Sequence, residues 1–484
     1  MEHGQLQDIN FFTTYRCNSR CRNCFIWREP HDPGSRTRLA SNELERFFED
    51  PLVRNCPNVG LAGGEPTIAP FFWEVLEIIP RDKHVTITTN ALKSDRLVAF
   101  LADNPHRERF MVQVSLDGIG AVNDNIRGIA GAFKKTVDLL EKLKNLGVPR
   151  LVSFTINRTN FMDLEACYGL AEKNGAGFST RMAYCGGAYT NRESRELFHF
   201  AADELVTLEN SIDRVVSKEL NRSGHYLPQL VFMEKIVDYY RGAQTDIPCH
   251  AMTSGMVIDL YGDVFPNCPA IMTSIGNLKN NSLSDIWEGP KAEAVRRKIQ
   301  KIACGGCWND CQVVTNIACN RAFLDRESTE IKLREVRGKA FPQGIDFNCG
   351  ESPLILNGWY VPEGSDAFRY CWTTMEFSII VPQGATGVQF FAMPCPGTNS
   401  ENPLVLTARG GEAELGRISL ENADWGDFSL SFLRPAEKMG ACSFSLGRCF
   451  CPKENGQGVD KRKLGLAVQR ISFLKTADLH PASA

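Results

Sequence analysis

The stretch Cys17-Asn18-Ser19-Arg20-Cys21-Arg22-Asn23-Cys24 decides the fold of this chain, because it places three cysteines on one short loop with the spacing CxxxCxxC. Three thiolates can ligate three irons of a four-iron cubane, and the fourth iron then keeps an open position. Thiolates are equally good ligands for zinc. The segments that follow the loop therefore have to distinguish the two kinds of site.

Three later motifs favour the iron-sulfur cluster. A hydrophobic strand, Val59 to Ala62, runs into Gly63-Gly64-Glu65-Pro66. The glycines allow the backbone to approach a ligand closely, and the glutamate can accept a hydrogen bond from an ammonium group. Phe110 to Leu116 predicts another strand, which ends in Ser115-Leu116-Asp117-Gly118 and is followed by Arg127-Gly128.

Together these motifs resemble those of the radical S-adenosylmethionine (SAM) enzymes. The resemblance implies that the open iron chelates the amino and carboxylate groups of SAM and delivers the electron that cleaves it. The implied products are methionine and a 5'-deoxyadenosyl radical, which abstracts hydrogen from an unactivated C–H bond. Ser115, Asp117 and Arg127 are then expected to contact the ribose and the carboxylate of the cofactor. Relatives often carry an aromatic residue before the third cysteine; this chain has Asn23 there, and Phe25 is the aromatic candidate for the adenine.

Length and composition indicate an enzyme of several domains. At about 150 residues per domain, 484 residues predict roughly three domains, and 43% hydrophobic residues suffice for real cores. A net charge of −3 without a Lys/Arg run argues against nucleic acid as a partner. The sequence shows no signal peptide and no apolar run that would span a membrane, so we expect a soluble, cytoplasmic protein. In that compartment, 18 cysteines indicate metal sites and reduced thiols.

The first part of the chain alternates short strands with helical segments, which predicts an α/β fold with a parallel sheet. One predicted helix, Ala132 to Leu146, places Phe133, Val137, Leu140 and Leu143 on one face and stops at Gly147. By the family resemblance the sheet is a partial (β/α)6 TIM-like barrel, open on one side. The cofactor motifs all fall at the carboxyl ends of strands, where parallel sheets bind ligands. The predicted strands are Phe11 to Tyr15, Val59 to Ala62, His84 to Thr88, Phe110 to Leu116, Leu151 to Ile156 and Phe178 to Tyr184.

A second series of cysteines follows a charged helical stretch, Glu193 to Leu220. Met256 to Pro266 predicts a β-hairpin, and a CxxC pair follows the basic helix Lys291 to Lys301. This arrangement resembles the SPASM/twitch extension of the same family, which holds an auxiliary 4Fe-4S cluster. A structural zinc site is the alternative, and a role for Cys311 or Cys319 as ligand stays open. The predicted ligands are Cys249, Cys268, Cys304 and Cys307.

From about residue 340 the helical period disappears and short apolar strands recur between Pro, Gly and Asn, which predicts an all-β sandwich. The motifs Gly358-Trp359-Tyr360 with Glu363, Arg369-Tyr370-Cys371-Trp372, and Asp460 to Gly465 are found here. Together they resemble a sandwich domain appended to enzymes of bacterial glycan biosynthesis. Trp359 and Trp372 are candidates for stacking on sugar rings, although a core position is the stronger expectation for both, and six cysteines here are expected to be packed or incidental thiols. The predicted strands are Leu354 to Val361, Met375 to Val381, Gly387 to Ala392, Leu404 to Ala408, Phe428 to Phe432 and Leu464 to Phe473.

These patterns predict three domains: residues 1–224 as the radical SAM barrel, 225–338 as the SPASM/twitch domain and 339–484 as the sandwich. The glycan resemblance, and a first strand that leaves no room for a leader-peptide module, favour a carbohydrate substrate. We therefore expect a sugar epimerase; a sugar dehydrogenase and a SPASM-type peptide or protein maturase are the alternatives. An epimerase needs a hydrogen-atom donor, for which Cys185 and Cys311 are the candidates. The expected cofactors are SAM and two 4Fe-4S clusters, with flavodoxin or ferredoxin as the reducing partner.

Overall fold

A computed structural model describes most of the chain. The side chains of residues 300, 301 and 311 lie outside the description. The chain forms two compact units: Met1–Val216 with Phe232–Asn320, and Ser217–Val231 with Arg321–Ala484. None of the described helices is both long and apolar enough to cross a membrane. The described residues are 6–28, 36–183, 196–222, 226–243, 247–268, 271, 273–301, 308–337, 343–349, 352–365, 367–456 and 459–475.

A parallel sheet with helical connections forms the core of the first unit, as the alternating pattern predicts. Neighbouring strands pair in sequence order, each parallel to the next. Because the strands are parallel, their carboxyl ends, and the loops that follow them, lie at one edge of the sheet. The strands are β1 (Asp8–Thr14), β2 (Asn58–Gly63), β3 (His84–Thr89), β4 (Phe110–Ser115), β5 (Arg150–Ile156) and β6 (Gly177–Met182).

The helices between these strands bury one apolar stripe each. In the helix that begins at Ala132, the buried residues include Leu139, Leu140 and Leu143, whereas Phe133 and Val137 are only half-buried. The buried stripe is therefore turned slightly from the predicted one. The helices of this region are α1 (Ser41–Glu49), α2 (Pro51–Asn55), α3 (Pro70–Ile78), α4 (Asp95–Asp103), α5 (Ala121–Arg127), α6 (Ala132–Asn145) and α7 (Leu164–Lys173).

The second cysteine region contributes three strands to the same sheet. The predicted hairpin is present as β7 (Gly255–Asp259) and β8 (Asp263–Pro266), which pair antiparallel, and β9 (Gly276–Asn277) pairs with β8. Strand β7 also pairs in parallel with β1, so the described sheet has the order β6-β5-β4-β3-β2-β1-β7-β8-β9. The helices after β6 are α8 (Ala202–Leu220), α9 (Leu227–Glu234), α10 (Ile236–Tyr240), α11 (Leu283–Glu288), α12 (Pro290–Lys301) and α13 (Asp310–Cys319).

The second unit contains a β-sandwich, as expected, and a long helix, α14 (Arg321–Val336). One sheet has the order β11-β12-β19-β14-β17 with β10 on β19, and the other has the order β13-β18-β15-β16. Phe390 of the first sheet and Phe377 and Phe444 of the second meet in the core between them. The strands are β10 (Gly344–Asp346), β11 (Glu363–Ser365), β12 (Phe368–Trp372), β13 (Glu376–Val381), β14 (Gly387–Pro394), β15 (Leu404–Gly410), β16 (Ala413–Leu420), β17 (Gly426–Ser431), β18 (Gly440–Leu446) and β19 (Leu466–Leu474).

One predicted strand of the sandwich, Leu354 to Val361, is wrong. The segment is irregular and makes only isolated bridges at Ile355 and Trp359. Its Gly358 has φ +82°, and a Cβ there would overlap the carbonyl oxygen of Glu376. The chain therefore turns tightly over the neighbouring strand at this glycine instead of running straight.

The two candidate sugar-stacking tryptophans are packed against other side chains. Trp359 donates from its indole nitrogen to the carbonyl of Ser378 at 3.1 Å and meets Phe377 edge-on. Trp372 is 8% exposed, in a small cluster with Leu464 and Ala467. Trp372 is thus buried and Trp359 partly buried against the core, in agreement with the stronger expectation of a core position.

Candidate active site

The three-cysteine loop follows β1 and is tied to the end of α5. The amide of Arg20 and the hydroxyl of Ser19 both donate to the carbonyl of Arg127, each at 2.9 Å, and the amide of Arg22 donates to Ile126. Cys17 and Cys24 are half-buried, and Cys21 is buried. The loop is thus held in place by main-chain contacts from another element of the barrel.

The cysteines line one pocket at the carboxyl end of the parallel sheet. Sequence-predicted residues that also line it are Gly63, Gly64, Glu65, Ser115 and Arg127. The pocket therefore brings together motifs that follow β1, β2 and β4. The predicted contacts Phe25, Pro66 and Asp117 are not among its described lining residues.

Glu65 is a buried carboxylate held by several donors. It accepts hydrogen bonds from the Thr67 hydroxyl at 2.6 Å, the Thr89 hydroxyl at 2.8 Å and the Asn90 amide at 2.7 Å. Burial raises the pKa of this carboxyl, and the hydrogen bonds oppose that rise. These contacts fix the turn after β2 against the end of β3.

Gly63 and Gly64, which precede Glu65, allow two backbone segments to lie close together, a contact that the sequence did not reveal. A Cβ on Gly63 would overlap the carbonyl oxygen of Thr14, and a Cβ on Gly64 would overlap that of Arg16. The amide of Gly64 donates to Thr14 at 2.7 Å. The glycines therefore let this turn lie directly on the backbone that leads into the cysteine loop, in addition to lining the pocket.

Asp117 lies behind the pocket and pairs with a residue that lines it. Its carboxylate is 2.8 Å from Nη2 of Arg127 and accepts from the amide of Thr155 at 2.8 Å. Nη1 of Arg127 in turn lies 3.7 Å from Sγ of Cys21. In this arrangement Arg127 lines the pocket, and Asp117 contacts Arg127 from outside the described lining.

Two segments of the chain match known families. Residues 11–163 match the radical SAM superfamily, and residues 249–312 match the SPASM iron-sulfur cluster-binding domain. Mycofactocin maturase MftC of Mycobacterium tuberculosis is 30% identical over 313 residues, which cover 62% of this chain and 75% of MftC.

The chain belongs to the radical SAM superfamily.

Two further relatives are similar to this radical SAM enzyme. Pre-heme d1 synthase of Dinoroseobacter shibae is 26% identical over 331 residues, covering 61% of this chain and 77% of the synthase. The crystal structure of Streptococcus suis SuiB bound to S-adenosylmethionine is 18% identical with a TM-score of 0.47, covering 60% of this chain and 68% of SuiB. The cofactors of this enzyme are SAM, the 4Fe-4S cluster of the SAM site and the auxiliary iron-sulfur centre of the SPASM domain.

The cysteine loop fits a cubane better than a single metal ion. Among the described residues, no three His, Cys, Asp or Glu side chains form a group that could hold one ion, yet the three thiols line one pocket. A cubane is bound at its corners, so its ligands stand around it instead of meeting at a point. Burial raises the pKa of Cys17 to about 11 and that of Cys24 to about 12, so a bound cluster would supply the positive charge that makes them thiolates.

Polar neighbours of the thiols also suit cluster ligands. The side-chain amide of Asn90 lies 3.8 Å from Sγ of Cys17 and donates to Asn18 at 2.8 Å. The Ser19 hydroxyl lies 3.2 Å from Sγ of Cys21. A donor such as the Asn90 amide near a cysteine sulfur tunes the reduction potential of a cluster.

The auxiliary site is described only in part. Cys249 and Cys268 are half-buried on either side of the β7–β8 hairpin, while Cys304 and Cys307 lie outside the described residues. The same is true of Cys185, and Cys311 is described only by its backbone in α13. The ligand set and both hydrogen-donor candidates therefore stay predictions.

A hydrogen bond and a ring contact connect the β7–β8 hairpin to the segment that leads into the cysteine loop. The hydroxyl of Tyr15, two residues before Cys17, donates to the carboxylate of Asp259 at the end of β7, at 3.0 Å. Its ring stacks on that of Tyr261. Burial, together with the charge of Asp259, raises the pKa of Tyr15. The SPASM hairpin is thus packed directly against the strand that presents the SAM-site cysteines.

The pocket also contains residues that sequence reasoning missed. Most lie at the carboxyl ends of β3, β5 and β6, where strand alternation alone indicates inward-facing positions. Asp310 comes from α13, far along the chain, and no local pattern marks it. The missed lining residues include Thr88, Asn90, Ser153, Thr155, Arg181 and Asp310.

Proposed function

We propose that this enzyme is a SPASM-type radical SAM maturase that modifies a peptide or protein precursor. The supporting observation is the 30% identity to MftC, which is named a maturase, over 313 residues. That alignment is longer than the radical SAM segment at residues 11–163, so the similarity includes more than the part that all members of the superfamily share.

The chemistry is hydrogen abstraction from a substrate C–H bond. When bound, SAM and its cluster supply the radical that performs this abstraction. The chain holds the cluster through Cys17, Cys21 and Cys24, and Arg127, oriented by Asp117, supplies the positive charge that binds the SAM carboxylate. The hydroxyl-bearing residues at the strand ends line the remaining space.

A tetrapyrrole substrate is the second candidate, because pre-heme d1 synthase is similar over 331 residues. The sugar epimerase hypothesis, and the sugar dehydrogenase beside it, rest on the resemblance of the sandwich to glycan-associated domains, and the relatives named above do not support them. Within the proposal, Cys249, Cys268, Cys304 and Cys307 hold the auxiliary cluster, and flavodoxin or ferredoxin supplies the electron. The domain boundaries at residues 224 and 338 belong to the proposal as well.

A substrate-dependence experiment tests these functions. Anaerobically reconstituted protein is incubated with SAM, dithionite and one of three substrate sets: a pool of synthetic peptides, coproporphyrin III, or a mixture of oligosaccharides. The proposal predicts that peptides raise 5'-deoxyadenosine above the uncoupled background and change in mass. Stimulation by coproporphyrin III alone would favour the second candidate, and stimulation by oligosaccharides alone would restore the epimerase hypothesis.

The same reaction in D2O tests the hydrogen donors. Deuterium on carbon in the product would require an exchangeable donor such as the thiol of Cys185 or Cys311, whereas a loss of two hydrogens would indicate oxidation. The matched control is the triple variant C17A/C21A/C24A, which lacks the SAM-site cluster and should give the background alone.

A further inference from the structure

The far side of the pocket carries one arginine that the cofactor motifs do not include. Arg181 lies near the end of β6, and among the described lining residues it and Arg127 are the two cationic side chains. Arg127 is engaged with Asp117 and Cys21, as described above. The two arginines therefore have different surroundings within one pocket.

Strand register places Arg181 on a surface of small side chains. Ser115 is opposite Ser153 in the β4–β5 pair, and Thr155 is opposite Arg181 in the β5–β6 pair. Residues directly opposite each other share a face of the sheet, as do residues two apart on one strand. Ser115, Ser153 and Thr155 thus form a row of short hydroxyl side chains, all lining the pocket, that ends at the guanidinium of Arg181.

In the order of the strands, the row lies at the end of the parallel sheet away from β1. Four strands lie between β1, which leads into the cysteine loop, and β6. Five interstrand spacings of about 4.8 Å therefore separate the two strands, on the order of 24 Å measured along the curved sheet. The short side chains of Ser115, Ser153 and Thr155 occupy the β4 and β5 part of the pocket lining, and Arg181 on β6 lies next to them.

Arg181 is held in place by a carboxylate. Its Nε lies 3.1 Å from Oδ2 of Asp310, the first residue of α13, and the two side chains are 28% and 13% exposed. A guanidinium has five donors in a planar fork that suits carboxylates. Because Asp310 pairs with the guanidinium before any substrate binds, Arg181 is not a lone buried charge in the free enzyme.

We propose that Arg181 binds a carboxylate of the substrate and that Asp310 holds the guanidinium in place until the substrate arrives. This inference rests on the proposed function, because the carboxylate is that of a peptide: its C-terminus or an acidic side chain beside the C–H bond that reacts. The alternative is that the ion pair only joins β6 to α13 and meets no ligand.

A matched pair of probes distinguishes these roles. N-acetylphenylalanine and its amide differ only in the charge of the carboxyl group, and their affinities for the SAM-loaded holoenzyme are measured by titration calorimetry at constant ionic strength. The wild type should bind the acid about tenfold more tightly, a typical effect of one charge-assisted hydrogen bond. In R181Q, the ratio of the affinity for the acid to the affinity for the amide should be close to one. D310N, which removes the competing carboxylate, should raise the ratio above that of the wild type.

The control is R158Q. Arg158 forms a similar ion pair with Glu204, at 2.9 Å and 48% exposed, in the same unit but outside the pocket lining. Its variant should keep the wild-type ratio. If R181Q does not fold, the D310N measurement alone tests the proposal. An ion pair with a purely structural role would give no rise in the affinity ratio of D310N.

Three results would overturn the proposal: a wild type that binds neither probe or both equally, an R181Q variant with an unchanged ratio, or an R181Q variant whose main defect is in SAM affinity. The last would make Arg181 a cofactor contact. Peptide turnover is measured separately, so the proposed function and this inference can each fail without the other.

Discussion

The cysteine loop of the first unit and the core of the second unit place thiols in different surroundings. In the first unit, Cys17, Cys21 and Cys24 line a pocket and have polar neighbours such as Asn90 and Ser19 around them. In the second unit, three cysteines are packed among apolar side chains, where a thiol acts as a small hydrophobic group. The surroundings of a thiol, and not the number of thiols, therefore separate ligand from packing residue. The core cysteines of the second unit are Cys371, Cys395 and Cys442.

The largest expected effect comes from exchanging cysteines for alanine in each unit. Two four-iron clusters contain about eight irons, so C17A/C21A/C24A should retain about four and lose all cleavage of SAM. The matched variant C371A/C395A/C442A should keep the full iron content and lose only stability. Iron analysis, 5'-deoxyadenosine formation and thermal unfolding give the three readouts. Cleavage of SAM by the first variant, or iron loss in the second, would remove the distinction.

A smaller effect is expected from glycine substitutions that cause similar backbone overlaps in the two units. A Cβ on Gly64 would overlap the carbonyl oxygen of Arg16, next to Cys17, whereas a Cβ on Gly344 would overlap that of Ile471 inside the sandwich. G64A should displace the cysteine loop and lower the iron bound there. G344A should cost about 1–3 kcal/mol of stability with no change in iron. Equal iron content in the two variants would show that the turn at Gly64 does not shape the loop.

A pH experiment examines the packed thiols alone. Burial raises the pKa of Cys442 to about 12 from its usual 9. Between these values the unfolded state loses the thiol proton and the native state keeps it, so stability falls as pH rises, by up to about 1.4 kcal/mol per pH unit. C442A should therefore show a shallower decline of stability than the wild type above pH 9, in denaturant titrations at several pH values. Parallel declines would mean that Cys442 ionises freely in the native state.

The smallest expected effect concerns the donors around the ligand thiols. The Asn90 amide near Cys17 stabilises negative charge on the sulfur, so N90A should lower the midpoint potential of the SAM-site cluster. A net hydrogen bond of 0.5–1.5 kcal/mol corresponds to about 20–60 mV for one electron. Redox titration followed by electron paramagnetic resonance measures the shift. Asn402, exposed in the sandwich, provides the control, since N402A should leave the potential unchanged.

Local patterns predicted the elements well. The loop with three cysteines, the alternation of strands and helices, and the hairpin at Met256 to Pro266 depend on residues close in sequence, and the structure contains all three. The failed strand at Leu354 to Val361 shows the limit of such patterns. Apolar content favoured a strand, but the positive φ of Gly358 is imposed by a neighbouring strand that the segment itself does not encode.

Contacts between distant segments could not be predicted. The motif aspartate at residue 117 was expected to touch the cofactor, but its carboxylate is taken up by Arg127 and the amide of Thr155. Asp310 reaches the pocket from a helix that follows the second cysteine series. Both contacts depend on how elements that are distant in sequence pack against each other. Hydrophobic periodicity describes single elements and does not predict such packing.

The parallel pairing of β7 with β1 has a consequence for any shortened form of this protein. Five residue pairs, from Asp8 with Gly255 to Phe12 with Asp259, occupy the side of β1 that faces away from β2. A chain truncated before residue 249 would leave those backbone groups of an apolar strand open to solvent, and open strand edges recruit other chains. Such a fragment should therefore aggregate even though its SAM-site cysteines are intact, and the SPASM segment also serves as the edge protection of the barrel.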